Sequence, residues 1–342
     1  MRIGTTLDYA ADPKATAARA AELEQLGVDV LWLAEAYGFD AVSLLGYLAA
    51  TTERITLASG ILNIFSRTPA ALAQTAAGLD ALSGGRFELG IGASGPQVVE
   101  GFHGLAYDRP VTRIGEIIDI CRMAWKREPL VHEGKAYRLP RPDGLGKPIK
   151  LINHPVRAHI PIHVAALGEK SVELTAAKAD GWLPFLFVPD LADKVWGAPL
   201  AAGLARRDPG LAPLDVVAGG LLAIGDDHAE AAAQRDRMRP MVALYVGGMG
   251  ARGKNFYNDV ARSYGFEREA EEIQDLYLAG KKDEAAAKVP AEMLELGSLC
   301  GDERFVADRL EAYKAAGVTT LNVTPVGPDP AGTLRRLREL VG

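Results

Sequence analysis

Short aliphatic runs alternate with longer amphipathic stretches over the first ninety residues, each strand-plus-helix unit taking about 30 residues, the size of a βαβ element. Arg2 to Leu7 reads as strand one. Asp12 and Pro13 then supply an N-cap and a first helical residue, Ala20, Leu23 and Leu26 an inward stripe, and Gly27 a stop. The pattern continues with strand two at Val28 to Leu33, a helix from Asp40 to Thr51, strand three at Ile55 to Leu62, a helix from Pro69 to Leu82, and strand four at Arg86 to Gly90. Three of these strands are nearly unbroken apolar runs, which suits a parallel sheet covered by helices on its outer face and not a half-exposed antiparallel one.

A helix over Val111 to Trp125 is followed by a segment, Val131 to Leu139, that reads as a hairpin turning at Glu133-Gly134, and then by a Pro- and Gly-rich loop to Pro148. The rhythm resumes with strand five at Ile162 to Ala165, a helix from Gly168 to Lys178, strand six at Trp182 to Phe187, a helix from Asp190 to about Arg206, and strand seven at Val216 to Ile224. Ala229 to Leu296 is helix-rich and too long for one crossover, so it is expected to add helices over one mouth. The last unit has a helix from Asp302 to Ala316, the stop Gly317, strand eight at Thr319 to Val323 and a helix opening at Asp329-Pro330. Eight strands favour an α/β (β/α)8 TIM barrel over an open doubly wound sheet. The expected organisation is a single barrel domain over 1–342, with a hairpin insertion at about 128–158 and a helical insertion at about 229–298.

Composition narrows the function. The 342 residues are 48% hydrophobic and 24% charged, with a net charge of -6, so the chain can build a large core and lacks the basic faces that nucleic-acid binding requires. No stretch approaches the roughly 20 apolar residues of a membrane helix. Met1 to Asp8 has no basic region leading into an apolar run, and the expected location is cytoplasmic. Cys121 and Cys300, the only cysteines, read as buried thiols. His154, His159 and His163 straddle Pro155 and Pro161 and cannot share one helical face, so no metal site is expected. His163 alternates with apolar neighbours in strand five and reads as packed inside the barrel.

In such a barrel, ligands bind at the C-terminal ends of the strands. That rule selects Asp8 and Tyr9, Glu35 and Tyr37, Asn63 and Ser66, Gly92 to Gly95, and Leu167 to Ser171. The run Gly90 to Gly95 either lets backbone approach a ligand or makes a tight turn. It lacks the spacing of a dinucleotide fingerprint, and no Gly-x-Ser-x-Gly elbow follows a strand. Leu167, Gly168, Lys170 and Ser171 open a helix whose free N–H groups and dipole favour an anion; the alternative is an ordinary helix start. Glu35 is either a buried acid or cofactor acceptor, or one half of an ion pair with a nearby Arg. His103 lies beside the strand-four loop, within reach of the mouth.

Four segments in order carry a resemblance: Leu31-Trp32-Leu33-Ala34-Glu35, Ala58 to Asn63 with Arg67 and Pro69 beyond, Gly90 to Gly101, and Ala165 to Ser171 with Ala179-Asp180-Gly181-Trp182 after it. At these loops the chain resembles the luciferase-like monooxygenase superfamily, and within it the branch using the deazaflavin coenzyme F420. The resemblance implies a cofactor phosphate at Leu167, Gly168, Lys170 and Ser171. It puts Leu62 and Asn63 beneath the ring at a strand-three bulge that typically carries a non-prolyl cis peptide, with Ala93, Ser94 and Val98 lining the cofactor's other side and Glu35 near the ring. Glu35, Tyr37 and His103 become the candidate proton donors or polarising groups. The sugar-phosphate dehydrogenases of the branch have a His directly after the acid and a catalytic Glu in the strand-four loop; Ala36 and Gly95 stand there instead. The pattern is more similar to methylenetetrahydromethanopterin reductases, in which hydride passes directly from the cofactor to a bound small-molecule substrate. The alternatives are an FMN-dependent two-component monooxygenase and a non-catalytic flavin-binding barrel. The resemblance also implies a homodimer through the helices at Ala41 to Ala50 and Ala70 to Leu82.

Overall fold

The computed structural model describes residues 1–342. Eight strands alternate with helices: β1 Arg2–Leu7, α1 Pro13–Gln25, β2 Val30–Leu33, α2 Ala41–Thr51, β3 Thr56–Ser59, α3 Pro69–Leu82, β4 Phe87–Gly92, α4 Pro110–Trp125, β5 Ile162–Ala165, α5 Glu169–Lys178, β6 Gly181–Leu183, α6 Ala192–Leu204, β7 Asp215–Ala218, α7 Glu303–Ala315, β8 Thr320–Asn322 and α8 Pro330–Val341. Each strand pairs in parallel with the next, and the sheet closes where β8 meets β1, with Arg2 opposite Thr320 and Gly4 opposite Asn322. The expected (β/α)8 barrel is the fold. Helix starts follow the polar residues the sequence supplies: Asp12, Asp40, Thr68, Asp302 and Asp329 each accept a backbone N–H of their helix's first turn.

Most of the core lies between sheet and helices, in a continuous cluster of 66 buried residues. Along each strand alternate residues point into the barrel, and there the filling is different. Val30, Trp32, Ala58 and Val217 form a small lumen cluster, and the Trp32 ring meets the His163 ring edge-on with centroids 5.1 Å apart. Gly181 leaves room for that imidazole, since a Cβ there would lie 2.0 Å from His163 Cδ2. His163 is thus packed inside the barrel, as its alternation with apolar neighbours indicated.

The N-terminal end of the lumen is plugged by charge. Arg2 bonds Glu88 and Asp215, each at 2.7 Å, and His163 Nε2 lies 3.0 Å from Asp215. Burial would raise the Asp215 carboxyl, yet hydrogen bonding to His163 and the charges of His163 and Arg2 hold it well below its usual range. Glu88, His163 and Asp215 bring three potential metal-ligand atoms within 4.8 Å of one another, but the Arg2 guanidinium already supplies the cation there. These residues open their strands, at the end opposite the mouth, where a barrel keeps residues for stability.

Several element boundaries differ from the sequence expectation, for local reasons. Strand three stops at Ser59, and Leu62–Asn63 resumes pairing with β4 after a bulge at the cis Gly60-Ile61 peptide. Strand six ends at Leu183 instead of Phe187, ahead of Pro184 and the left-handed Leu186. Strand seven breaks at Gly219-Gly220, where a Cβ would lie 2.2 Å from the Asn322 and Gly297 carbonyl oxygens respectively. Its continuation, Leu221–Ile224, joins Leu299–Gly301 and Thr324–Pro325 in a separate three-stranded sheet. The hairpin pairs His132–Glu133 with Arg138–Leu139 and turns at Lys135-Ala136, two residues later than expected, where the Glu116 carboxylate gathers the N–H groups of Lys135, Ala136 and Tyr137. Between Ile224 and Leu299 the chain forms helices from His228 to Leu296, including a π-helical turn at Leu244–Gly248. No helix is long and apolar enough to cross a membrane.

Candidate functional site

The C-terminal mouth of the barrel is shaped first by the strand-three bulge. Ser59 Oγ donates to the Gly90 carbonyl at 2.8 Å and accepts from the Gly90 N–H at 2.9 Å, riveting the bulge to β4. Only glycine fits opposite it, since a Cβ on Gly90 would lie 1.8 Å from the Ser59 carbonyl oxygen. The pleat beyond the bulge decides which side chains reach the mouth. Leu62, expected beneath the cofactor ring, instead points outward and is fully buried in the main core; Ile61 lies against Gly92 on the inner side. Asn63 is 4% exposed, its Oδ1 accepts the Phe65 N–H at 2.9 Å, and its Nδ2 has no partner. A buried amide donor left unpaired costs about 1–3 kcal/mol unless an acceptor reaches it.

Glu35 is not free. Arg67 grips its carboxylate with both terminal nitrogens, at 2.5 and 2.8 Å, and Glu35 also accepts the Ala41 N–H at 3.0 Å. The pair ties the loop after β2 to the loop after β3 and helps start α2. Hydrogen bonding to Glu35, opposed by burial, raises the Arg67 guanidinium above its usual value. Of the two readings open in the sequence the structure takes the ion pair, which occupies both oxygens of Glu35. Tyr37 stands 71% exposed on the loop after β2. His103 is half-buried, edge-on to Phe102 with centroids 5.1 Å apart.

After β4 the glycine run ends in a short helix, Pro96–Gly101, which the sequence reading did not foresee. Ala93 is half-buried, Ser94 is exposed with a left-handed φ of 56°, and Val98 lies half-buried in the first helical turn. The Tyr107 hydroxyl donates to the Ser94 carbonyl at 3.3 Å, and its ring stacks on Phe65, which follows Asn63 at a spacing of two.

Gly168 is the N-cap of α5 and offers no side-chain cap, so the N–H groups of Glu169 and Lys170 have no internal acceptor, while that of Ser171 donates to the Gly168 carbonyl at 3.0 Å. Two buried indoles fix the backbone leading in: Trp182 Nε1 donates to the Ala166 carbonyl at 2.8 Å and Trp196 Nε1 to that of Leu167 at 2.9 Å. Ser171 Oγ donates to the Gly168 carbonyl at 2.7 Å, and Lys170 is exposed. Leu167 and Gly168 are half-buried, and the Phe256 ring from the inserted helices lies beside Gly168. The arrangement can seat a phosphate with backbone N–H groups and add the Lys170 charge.

The inserted helices also bring side chains that the strand-end rule had missed. Phe185, after β6, packs against Tyr245 at 4.2 Å and Tyr257 at 5.7 Å between ring centroids. Tyr245 and Tyr257 lie on no strand end, and Phe185 was read as part of strand six, so no sequence signal singled them out.

A parallel (β/α)8 barrel with an anion seat at the helix after β5 and a bulged third strand is the class that fold and site together define. The chain belongs to the luciferase-like monooxygenase family, whose profile matches residues 1–320. It is 40% identical, over 99% of this chain and 98% of the relative, to a Mycobacterium tuberculosis protein provisionally named a coenzyme F420-dependent oxidoreductase. It is 28% identical, over 90% of this chain and 88% of the relative, to the 5,10-methylenetetrahydromethanopterin reductase of Archaeoglobus fulgidus. Among solved structures, the coenzyme F420-dependent tetrahydromethanopterin reductase of Methanopyrus kandleri superposes with a TM-score of 0.80 at 24% identity, covering 98% of this chain and 96% of that one. That last likeness speaks to the fold.

Proposed function

We propose that this chain is a coenzyme F420-dependent oxidoreductase that exchanges a hydride between the deazaflavin and an organic small molecule at the barrel mouth. The observation that carries the reading is the buried, unpartnered Asn63 Nδ2 on the bulge, at the same barrel end as the open N-terminus of α5. One is a donor awaiting an acceptor, the other a seat for an anion. A ligand with a polar heterocycle and a phosphate answers both, and the F420 chemistry named for the 40% identical relative supports that choice. When bound, the cofactor supplies two-electron hydride chemistry at its ring carbon.

The chain's own residues then hold and shield. Gly168, Lys170 and Ser171 take the phosphate, with Leu167 fixed behind them by Trp196. Asn63 donates to a ring acceptor, the backbone of Leu62 and the side chain of Ile61 make the bulge beneath it, and Ala93, Ser94 and Val98 close the opposite side. Glu35 and Arg67 keep two mouth loops in place instead of moving a proton. Tyr37 and His103 remain free for contact with substrate. The protein contributes position and exclusion of water.

A Gly168→Asp substitution tests the seat. Its side chain has room beside Phe256, so the fold should survive while a carboxylate faces the phosphate. The expected result is at least a tenfold loss of F420 affinity in a fluorescence titration, with little change for the phosphate-free deazaflavin nucleoside. Equal F420 affinity in both proteins would remove the phosphate from α5.

A further inference from the structure

Tyr245 lies in the π-helical turn Leu244–Gly248, a geometry that frees carbonyls from the regular ladder and is frequent at functional sites. Here the freed carbonyls are met by side chains: Asn255 Nδ2 donates to Tyr245 O at 2.9 Å and to Val246 O at 3.0 Å, and Asn258 Nδ2 to Val246 O at 3.1 Å. The turn is therefore fixed, and so is the direction of Tyr245. Its ring meets Tyr257 at 4.8 Å and Phe185 at 4.2 Å, an aromatic wall built from the β6 loop and the inserted helices. Tyr9 and Tyr37, after β1 and β2, lie near enough to act electrostatically on Tyr245, and Tyr107, after β4, on Tyr257. The wall thus borders the mouth beside three barrel loops.

Its hydroxyls are spare. Two buried tyrosines of this region spend theirs within the chain, Tyr264 on the Leu186 carbonyl at 2.9 Å and Tyr313 on that of Gly297 at 3.1 Å. Tyr245 and Tyr257 hydrogen-bond to the chain only through backbone atoms, and neither hydroxyl has a partner within it. Burial raises both phenols above their usual value, so both are neutral donors at physiological pH. The cations of the neighbouring barrel loops are already used: Arg67 is spent on Glu35, and Lys170 belongs to the α5 seat.

We propose that Tyr245 and Tyr257, backed by Phe185, form the substrate wall and donate hydrogen bonds to a carbonyl oxygen of an uncharged planar substrate. The inference rests on the barrel-mouth reading above and names the substrate class for that same site. Hydrogen bonds aimed at an oxygen that gains charge as hydride arrives would also favour the transfer.

The test uses the chain loaded with oxidised F420, after titration of F420 itself into wild type, Tyr245→Phe, Tyr257→Phe and the double variant. Equal F420 affinity in all four is expected, and failure of wild type to bind F420 would sink the cofactor reading separately. Three probes of one shape follow by calorimetry: 2-acetylnaphthalene, its anionic counterpart 2-naphthoate, and oxygen-free 2-ethylnaphthalene. The ketone should bind wild type at least tenfold more tightly than the carboxylate. It should weaken about tenfold in the double variant, while 2-ethylnaphthalene is unchanged. A carboxylate that binds as well as the ketone, a ketone that does not bind, or Phe variants that hold the ketone as tightly as wild type would overturn the proposal.

Discussion

Two side chains on neighbouring loops show how little a residue's type says until its partner is known. Glu35 ends an apolar strand, where an acid would be expected to serve chemistry, and Arg67 lies thirty-two positions away. Brought together, they form a two-pronged pair with side chains only 10% and 18% exposed. Replacing Glu35 with Ala would leave the guanidinium without its anion and should cost about 2–3 kcal/mol, less than a fully enclosed pair because Arg67 keeps some water. Denaturant unfolding measures it, and a loss under about 0.5 kcal/mol would deny the pair its structural role. Gly90→Ala should cost about 3 kcal/mol, the upper end for overpacking, because the obstructing atom is the Ser59 carbonyl oxygen and no side chain can rotate away. At this scale the sequence marked the right places. It located Glu35 and the glycine run at strand ends, but pairing across loops depends on distances that no local pattern contains, and Leu62, which the resemblance put beneath the ring, has its side chain in the main core.

The strands and helices themselves were largely legible, since each obeys its own period and carries its own signals: Asp12 with Pro13, Gly27, Asp302, Gly317. The interruptions were legible unevenly. The run from Ile55 to Leu62 does not itself mark where pairing stops, but the resemblance implied a cis-peptide bulge after strand three, and one stands at Gly60-Ile61. The break of strand seven had no such signal, because it is imposed by carbonyls from distant segments that approach Gly219 and Gly220. The inserted helices were legible as helices placed over one mouth, but not which of their side chains face it. The α5 start at Gly168, proposed as the anion seat, was readable from the sequence, although the two indoles that fix the backbone leading into it were not. Trp196→Phe removes the N–H that holds the Leu167 carbonyl. It should lower stability by about 1–2 kcal/mol through the unpaired carbonyl and weaken F420 binding several-fold, measured by thermal unfolding and titration. Unchanged F420 affinity would mean that the seat does not depend on the indole.

Across the whole barrel, chemistry and stability sit at opposite ends. The Arg2, Glu88, His163 and Asp215 plug closes the N-terminal end, and its acid response has a definite sign. Asp215 is held below its usual value in the fold, so its contribution is complete above the unfolded carboxyl range near pH ~4 and is lost as pH falls through its lowered folded value. Asp215→Asn should therefore be less stable than wild type at neutral pH, with the difference shrinking as the solution is acidified; a gap that widens toward acid would contradict this. On the outer surface Tyr47 and Leu82, on α2 and α3, are 45% and 66% exposed, the apolar face that the homodimer proposal requires. Leu82→Glu should shift the chain toward monomer in light scattering, and an unchanged mass would place any interface elsewhere. The account as a whole turns on what fills the mouth above Asn63 and α5. Titration of the purified chain with F420 and with FMN under identical conditions tests it most directly: micromolar or tighter F420 binding with FMN excluded is predicted, whereas binding of FMN alone would contradict the deazaflavin reading and make the chain a flavin enzyme.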